Sequence, residues 1–345
     1  MERSGDLHFC EVSLGKVSRT FAVNIRVLRG EAYRAVLIAY LLCRMADTVE
    51  DDPSFPPEGK RAKLAEYASL FPPSGEYESR YESFLEGIPF REGEDDLMLL
   101  HNGSRVLREF VKLPADLVRL VSRHVREMAE GMAGFQERAE NGGISFLRDE
   151  EDLRKYCYYV AGTVGIMLTG IFTKYAPPLS AAARRTLEDR CVSFGLGLQL
   201  TNIAKDFAAD RERGWCYVPR SFFPGPTALP VDPSSPAGRS AFPDAHGKLV
   251  RMALACLDDA LEYTLALPRR VFRFRLFCLW PLFMAVETLG LMNRERSPLS
   301  GKPVKISRDD VRRIVRNTGA AVFSNRMLRA MYRKARLRAA SHPLS

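Results

Sequence analysis

Apolar residues recur at helical spacing through eight long segments of this 345-residue chain. These segments are residues 31–48, 95–111, 115–138, 150–175, 180–209, 245–266, 273–292 and 308–338. The strict alternation of apolar and polar residues that marks a half-buried strand is scarce. A chain of this length with 46% hydrophobic residues can bury one large core. The pattern therefore predicts an all-α bundle that forms a single domain over residues 1–345.

Two polar stretches interrupt the helical pattern. The segment from Asp52 to Pro57 contains three prolines, and residues 224–247 are rich in Pro, Gly and Ser. Helix interiors disfavour both compositions, so we predict a surface loop at each place, flexible at 224–247. A basic C-terminal helix is predicted at 321–338. From Arg326 to Arg338 its basic residues alternate with Met, Leu and Tyr, which suits either contact with anionic lipid headgroups or a plain solvated helix.

The chain carries a formal net charge of +9 and seven cysteines. A positive field suits nucleic acid, a membrane surface or anionic substrates, so charge alone does not choose among them. The cysteines form no C-x-x-C pair and follow no secretory leader, which favours a reducing cytoplasm over a disulfide framework or zinc ribbon. No run approaches eighteen consecutive apolar residues, so we expect no membrane-spanning helix and only peripheral contact with lipids.

Two segments each place a pair of aspartates one helical turn apart. The first face carries a tyrosine, an arginine and two aspartates: Tyr40, Arg44, Asp47 and Asp51. The second carries two amides and two aspartates: Gln199, Asn202, Asp206 and Asp210. Carboxylates stacked among apolar neighbours repel one another and need a compensating cation or water. A lone D-x-x-x-D is most often a solvated helix face, but two with apolar flanks favour a functional site.

Magnesium suits such a pair of faces, because it prefers oxygen ligands and typically bridges one or two carboxylates to substrate phosphates. The sequence therefore predicts a diphosphate and Mg²⁺ held between two acidic helices. Cations lie within or beside the acidic segments, where they would offset diphosphate charge or form surface salt bridges: Arg19, Arg44, Lys205, Arg211 and Arg213.

Two further segments, Ser18-Arg19-Thr20-Phe21 and the stretch from Tyr156 to Gly165, complete a resemblance to the squalene and phytoene synthase family over about residues 15–320. Within that family, the segment from Phe277 to Ala285 resembles the F-C-x-x-P-Q-x-M-A of squalene synthases, and residues 304–306 resemble their V-K-I. Phytoene synthases generally lack both. Two residues depart from the pattern, Leu282 in place of Gln and Ser307 in place of a basic residue. The resemblance implies a helical bundle of the class I isoprenoid synthase type with a central cavity.

The resemblance also implies roles for individual residues. The magnesium ligands would be Asp47, Asp51, Asp206 and Asp210, assisted by Gln199 and Asn202. The residues that contact diphosphate or order its departure would be Ser18, Arg19, Tyr40 and Arg44. Tyr156 resembles the family's catalytic tyrosine; a satisfied core tyrosine is the alternative.

Five further residues would border the substrate. Val160 and Val164 share the helix face of Tyr156, where Gly162 and Gly165 would leave room for a prenyl chain. Phe21 and Phe277 could shield a carbocation through their ring faces, although ordinary core packing fits either. Cys278 is expected to be a small wall residue rather than a nucleophile.

The implied reaction joins two farnesyl diphosphates head to head through presqualene diphosphate to squalene, with reduction by NADPH. No G-x-G-x-x-G follows a strand, so NADPH would bind outside a Rossmann module, with its phosphates near Lys205, Lys305 and Arg308. One alternative is an enzyme of the same fold that makes presqualene diphosphate, dehydrosqualene or phytoene. The other is a non-catalytic helical protein that holds a membrane or nucleic acid, against which the intact acidic faces argue. We expect no nucleic-acid partner.

Overall fold

A computed structural model of the chain describes residues 5–138, 144–223, 236–295 and 304–340. Regular structure in these ranges is almost entirely helical, apart from two strands of two residues each. The all-α prediction is therefore confirmed. Backbone contacts divide the chain into two compact units, the first comprising Met1–Arg138 and Ile166–Pro177 and the second Ala139–Gly165 and Pro178–Ser345. The single domain over 1–345 stays a prediction.

The helices of the first unit follow one another closely along the chain. They are α1 (Gly5–Val17), α2 (Arg19–Arg26), α3 (Gly30–Asp51), α4 (Pro57–Ser69), α5 (Tyr77–Leu85), α6 (Asp95–His101), α7 (Gly103–Phe110) and α8 (Ala115–Gln136). The predicted helix 95–111 is broken at Asn102, and the predicted loop at 52–57 is confirmed between α3 and α4.

Helix α3 forms the core of the first unit. Its side chains are buried around almost the whole circumference from Ala35 to Val49, and it packs against α4, α6, α7 and α8. A helix that is apolar on every side is stable only when neighbours cover it. Buried tyrosines tie it in place: the Tyr67 hydroxyl donates to the carbonyl of Leu42 at 2.8 Å. The acidic C-terminal end of α3 is therefore carried on a fixed support.

The second unit begins with a short strand and a long interrupted helix. Its elements are β1 (Ser145–Phe146), α9 (Glu150–Cys157), a π-helical turn (Tyr158–Gly162), α10 (Thr163–Tyr175, of which residues from 166 on belong to the first unit), α11 (Ala181–Glu212), β2 (Trp215–Cys216), α12 (Pro236–Ala266), α13 (Phe272–Glu295), α14 (Arg308–Ala321) and α15 (Asn325–Ala340). The strands pair in parallel, with Ser145 opposite Trp215. Helix α11 packs along α12 and against the π-helical turn and α13.

The loop predicted at 224–247 is wrong in its second half, because α12 begins at Pro236. Residues 224–235 lie outside the described ranges. Proline is well tolerated at the first helical position, whereas Pro243 lies inside the helix and costs about 3 kcal/mol there. Packing outweighs that cost: Phe242 and His246 are fully buried, and the Phe242 ring centroid lies 4.5 Å from that of Phe207 on α11.

The predicted C-terminal helix is confirmed from Asn325 onward. The longer periodic segment 308–338 is divided by a turn at residues 322–324, which separates α14 from α15. Residue 321 thus ends α14 rather than beginning the last helix.

Two helical runs among the described residues have the length and mean hydropathy of a membrane span, Glu150–Tyr175 and Arg269–Met292. Scattered Arg, Lys and Gly residues interrupt the apolar runs without greatly lowering their mean hydropathy, and the absence of a membrane-spanning helix stays a prediction. Buried residues make up 83% of the most apolar window in the second run and 44% in the first. Core helices of soluble proteins have the same composition, so the two runs are weak evidence for a span.

Candidate functional site

In the first unit, Ser18, which precedes α2, contacts Tyr40 in the middle of α3. Ser18 caps α2, since its Oγ accepts a hydrogen bond from the backbone N–H of Phe21 at 3.2 Å. The Phe21 ring centroid lies 5.5 Å from that of Tyr40, whose side chain also hydrogen-bonds Ser18. Burial raises the pKa of Tyr40 to about 12, so this phenol is neutral at physiological pH. Arg19 is the first residue of α2, and its side chain lies outside the described part of the structure.

One helical turn further along α3, Arg44 binds Asp96, a carboxylate that the sequence pattern does not predict. Its Nε and Nη2 each donate to Asp96 at 2.9 Å, and its Nη1 lies 3.9 Å from Oδ2 of Asp47. Burial works against the charged guanidinium, but Asp96 and Asp47 outweigh it and raise the pKa of Arg44. Asp96 lies in the first turn of α6, in an acidic run that composition alone marks as a solvated helix start.

Asp47, one of the four predicted metal ligands, has a strongly perturbed carboxyl group. Burial raises its pKa to about 7; Arg44 opposes the shift, while Asp51 and Asp96 add to it. Asp51 is exposed one turn later, at the last residue of α3. A carboxyl that is only partly ionised near neutral pH, with a second carboxylate one turn away, suits a hard cation that can replace its proton.

Glu50, between these two aspartates in sequence, is buried and was not predicted. Burial and the neighbouring Asp51 and Asp47 raise its pKa to about 8. The Glu50 carboxylate accepts a hydrogen bond from Gln136. Its Oε1, however, has no hydrogen-bond partner among the described residues. Lys60 donates to the backbone carbonyl of Glu50 at 2.6 Å. Helical spacing sets Glu50 roughly a quarter of a turn away from the face of Tyr40, Arg44 and Asp47, which is why the acidic pattern does not include it.

The second acidic motif lies on α11, where its aspartates form ion pairs with basic residues near the C-terminal end of the same helix. Lys205 Nζ lies 3.1 Å from Asp206 Oδ2 and 3.5 Å from Asn202 Oδ1. Arg213 Nη2 lies 2.5 Å from Asp210 Oδ1, and Asp210 is buried whereas Asp206 is half-buried. Gln199 is half-buried two turns before Asp206 on the same helix. The predicted face is therefore present on one continuous helix.

The fit of a metal ion to these residues follows from their donor chemistry. Among residues 5–138, 144–223, 236–295 and 304–340, no group of three or more Asp, Glu, His or Cys side chains could hold a metal ion by itself. Magnesium does not require such a cage, because it keeps several waters and takes phosphate oxygens as ligands. A pair of carboxylates one turn apart has the donor chemistry for a Mg²⁺–diphosphate complex, and the roles of these aspartates as ligands stay a prediction.

Tyr156 ends a stack of three aromatic rings in the second unit. Its ring centroid lies 4.5 Å from that of Tyr217, which in turn lies 5.4 Å from Trp215, with interplanar angles of 21° and 6°. Tyr156 is buried and comes two residues before the π-helical turn. Such turns are rare and occur frequently at functional sites. Val160 in that turn and Val164 after it are half-buried, and the wider turn shifts the even four-residue spacing predicted for this face.

Gly162 and Gly165 have a different structural role from the one predicted. A Cβ on Gly165 would lie 2.1 Å from the carbonyl oxygen of Cys191 on α11. A Cβ on Gly162 would lie 3.2 Å from Val192 and 3.3 Å from Leu196. The expectation that these glycines leave room for a prenyl chain is therefore wrong, because they allow the run to pack closely against α11.

Phe277 and Cys278 are buried on α13. Burial raises the pKa of the Cys278 thiol, which keeps it neutral and fits a wall residue rather than a nucleophile.

The three residues around the start of α14 are exposed. Lys305 precedes the helix and Arg308 is its first residue. Ser307 departs from the family pattern for a local reason: it forms a capping box with Asp310, accepting from the Asp310 N–H at 3.1 Å. The roles of Lys305 and Arg308 stay predictions.

Comparison with known proteins gives consistent matches. The family model for squalene/phytoene synthase matches residues 14–310. Squalene synthase of Schizosaccharomyces pombe is 32% identical over 292 residues, which cover 83% of this chain and 59% of that protein. Human squalene synthase is 30% identical over 301 residues, which cover 86% of this chain and 66% of that protein. The chain thus spans about two thirds or less of the length of these relatives.

Solved structures give the same picture. The complex of TcSQS with the ligand E5700 matches with a TM-score of 0.82 at 26% identity, covering 98% of this chain and 92% of that chain. A dehydrosqualene synthase in complex with ligand matches with a TM-score of 0.60 at 19% identity, covering 92% and 97% of the two chains, which shows the fold alone. These matches confirm the predicted family resemblance and the all-α isoprenoid synthase fold. The predicted central cavity stays a prediction.

Proposed function

The chain belongs to the squalene/phytoene synthase family, and we propose that it joins two farnesyl diphosphates head to head and reduces the product to squalene. The relatives at about 30% identity are squalene synthases, and the segments at 277–285 and 304–306 resemble squalene rather than phytoene synthases. The observation that carries the proposal is the state of Asp47. Burial raises the pKa of Asp47 to about 7, and the residue lies beside Arg44 and one turn before Asp51. Asp206 and Asp210 repeat the motif on α11.

In the first half-reaction, the C–O bond of one farnesyl diphosphate breaks and diphosphate leaves with the electron pair. The double bond of the second molecule attacks the allylic cation, and loss of one proton closes the cyclopropane of presqualene diphosphate. Magnesium, held by Asp47, Asp51, Asp206 and Asp210, would neutralise the leaving diphosphate. Arg44, fixed by two hydrogen bonds to Asp96, presents a cation beside Asp47 that can also bind diphosphate oxygens.

Tyr156 is proposed to accept or relay the proton that is lost. Its ring is fixed by the stack on Tyr217, so the direction of its phenol oxygen is set before substrate binds. Tyr156 is buried, and exclusion of water from the site would protect a carbocation. Phe21 and Phe277 are proposed to stabilise cationic carbon through their ring faces, with Val160, Val164 and Cys278 bordering the chains.

In the second half-reaction, the remaining C–O bond breaks, the cation rearranges, and a hydride quenches it. NADPH would supply the hydride, so the products are squalene, diphosphate and NADP⁺. Lys305 and Arg308 are exposed cations that could bind the cofactor's phosphates. Lys205 is the third residue predicted to contact the cofactor's phosphates. Its ammonium group forms an ion pair with Asp206, so it is better placed to balance the charge of the second acidic motif.

We propose a cytoplasmic location with peripheral contact to a membrane, which suits a water-soluble diphosphate substrate and a hydrocarbon product.

The reaction is tested by incubating the purified chain with farnesyl diphosphate and Mg²⁺, with and without NADPH, and analysing extracted lipid by mass spectrometry. Squalene with NADPH, and presqualene diphosphate without it, are expected. Dehydrosqualene or phytoene as the main product in the presence of NADPH would replace this proposal with one of the alternative products. Absence of any Mg²⁺-dependent product would refute it.

A further inference from the structure

The last helix, α15, divides sharply into a buried and an exposed face. Its buried residues recur at helical spacing against the rest of the second unit: Leu328, Tyr332, Ala335 and Ala339. On the other side, large apolar side chains are left in solvent. Met327 is 50% exposed and Leu337 is 61% exposed, and Phe323, in the turn before the helix, is 55% exposed. Exposed apolar side chains of this size, gathered on one face, mark an interaction surface.

The cations of α15 also fall into two groups. Those beside the buried face are neutralised by acidic residues of α12 and α13: Arg329 pairs with Glu262, Arg336 donates to both carboxylate oxygens of Asp258, and Arg338 pairs with Glu287. Those on the outward face are exposed and have no acidic partner within the described ranges: Arg326, Arg333 and Lys334. Packing of α15 therefore does not account for this second group.

The turn before α13 extends the same surface. The Phe323 ring centroid lies 5.7 Å from that of Phe272, the first residue of α13. Arg269 and Arg270, which precede Phe272 in the sequence, are exposed. The buried Arg275 holds this region together, because its guanidinium donates to Asn325 Oδ1 at 2.5 Å and to the carbonyl of Leu267 at 3.3 Å. The start of α15 is thus fixed against the turn.

We define the α15 surface by the exposed residues of these elements: Arg269, Arg270, Phe323, Arg326, Met327, Arg333, Lys334 and Leu337. We propose that this surface lies on the headgroup layer of an anionic lipid bilayer. An interfacial helix combines apolar side chains that enter the headgroup boundary with Lys and Arg that contact lipid phosphates, and the α15 surface has both.

Charge favours this occupant over others. Helix α15 contains no Asp or Glu, so the face offers only positive charge to a partner. A second copy of the chain would bring the same cations against it and be repelled. The inference deepens the proposed membrane contact, but it rests on the geometry of α15 and not on the proposed reaction.

Vesicle sedimentation tests the proposal directly. The full chain is mixed with vesicles of phosphatidylcholine alone, or with about one third phosphatidylglycerol, and the bound fraction is measured. Each basic residue near an anionic surface contributes about a fivefold factor to binding. The variant R326Q/R333Q/K334Q should therefore bind anionic vesicles about a hundredfold more weakly. The variant F323S/M327S/L337S should also bind more weakly, because its apolar anchors are lost.

A matched control removes the same number of charges from the neighbouring helix α14, in R312Q/R313Q/R316Q. This control should bind almost as well as the unaltered chain, and all variants should retain the far-ultraviolet circular dichroism of a folded helical protein. Turnover of detergent-dispersed substrate is measured separately, so loss of catalysis and loss of binding are distinguishable. Three results would overturn the proposal: equal binding to neutral and anionic vesicles, binding that the α15 variants leave unchanged, or self-association or DNA binding that depends on these residues while vesicles are ignored.

Discussion

Arg44 on α3 donates two hydrogen bonds of 2.9 Å to Asp96 on α6, and its remaining nitrogen lies 3.9 Å from Asp47. The carboxylate of Asp96 therefore fixes the cation that stands beside the first acidic motif. Helices α3 and α6 pack directly against each other, so this geometry belongs to the folded first unit. It makes Asp96 a positioning residue, one that acts through Arg44.

Replacing Asp96 by Asn should lower turnover by about tenfold to a hundredfold, the range typical of residues that orient a ligand. The amide retains one acceptor but loses the charge and the paired geometry that hold the guanidinium. Steady-state kinetics with farnesyl diphosphate measure the effect. Asp95→Asn is the matched control, because Asp95 forms an exposed pair with Lys16 at 3.7 Å and its replacement should change turnover by less than about twofold. Equal effects of the two changes would remove the role assigned to Asp96.

The metal-free chain should lose stability as the pH rises from about 4 to about 8. Burial raises the pKa of Asp47 to about 7 and of Glu50 to about 8, so both bind a proton more tightly in the folded chain than in the unfolded one. Their favourable contribution is complete below the unfolded values near pH 4 and is lost as the pH passes through the folded values. Each group changes the free energy of unfolding by up to about 1.4 kcal/mol per pH unit, and Asp47 by less because solvent screens its exposed edge.

Denaturant unfolding at several pH values, with and without Mg²⁺, measures this dependence. Glu50→Gln should flatten it. Mg²⁺ should also flatten the part due to Asp47, because the cation replaces the proton. A stability that rises across this pH range would contradict the assignment of both carboxyl groups as buried and proton-binding.

Tyr156→Phe should slow the first half-reaction or change its products, because it deletes the hydroxyl and leaves the ring stack on Tyr217 intact. Tyr217→Phe keeps the same stack and is expected to leave the product profile unchanged. Mass analysis of lipid extracts distinguishes the two. If both variants behave like the unaltered enzyme, Tyr156 is a packing residue.

Lys305→Ala should raise the apparent KM for NADPH while sparing Mg²⁺-dependent formation of presqualene diphosphate. Carbon would then accumulate as that intermediate or as unreduced hydrocarbon. Arg312→Ala, which removes an exposed cation paired with Asp309 on the same helix, serves as the control. An unchanged NADPH dependence in the Lys305 variant would move the cofactor's phosphates elsewhere.

The sequence predicts the long helices and the acidic faces well, because hydrophobic periodicity and residue spacing are both local signals. Helices α3, α8 and α11 lie within a few residues of their predicted bounds. Helices α1, α2, α4 and α5 are short or weakly amphipathic and were not predicted. The Pro, Gly and Ser content of residues 224–247 predicts a loop, whereas burial of Phe242 and His246 sustains a helix in its second half.

Site residues that depend on tertiary contacts could not be predicted. Asp96 reaches Arg44 from a sequence distance of 52 residues, and no local pattern connects them. The sequence shows that Gly165 has no side chain, but only the tertiary structure shows that the Cys191 carbonyl approaches this position. Ser307 departs from the family pattern because it caps a helix, a local signal that was present in its spacing to Asp310.

The proposed reaction requires both acidic motifs to act on Mg²⁺ and diphosphate. The direct test is the rate of diphosphate release from farnesyl diphosphate at increasing Mg²⁺ concentration, in the unaltered chain and in Asp47→Asn and Asp206→Asn. We predict Mg²⁺-dependent release in the unaltered chain and a loss of at least about two orders of magnitude in each variant, with helical content retained. Release at near-normal rates in either variant, or release independent of Mg²⁺ in the unaltered chain, would contradict the account.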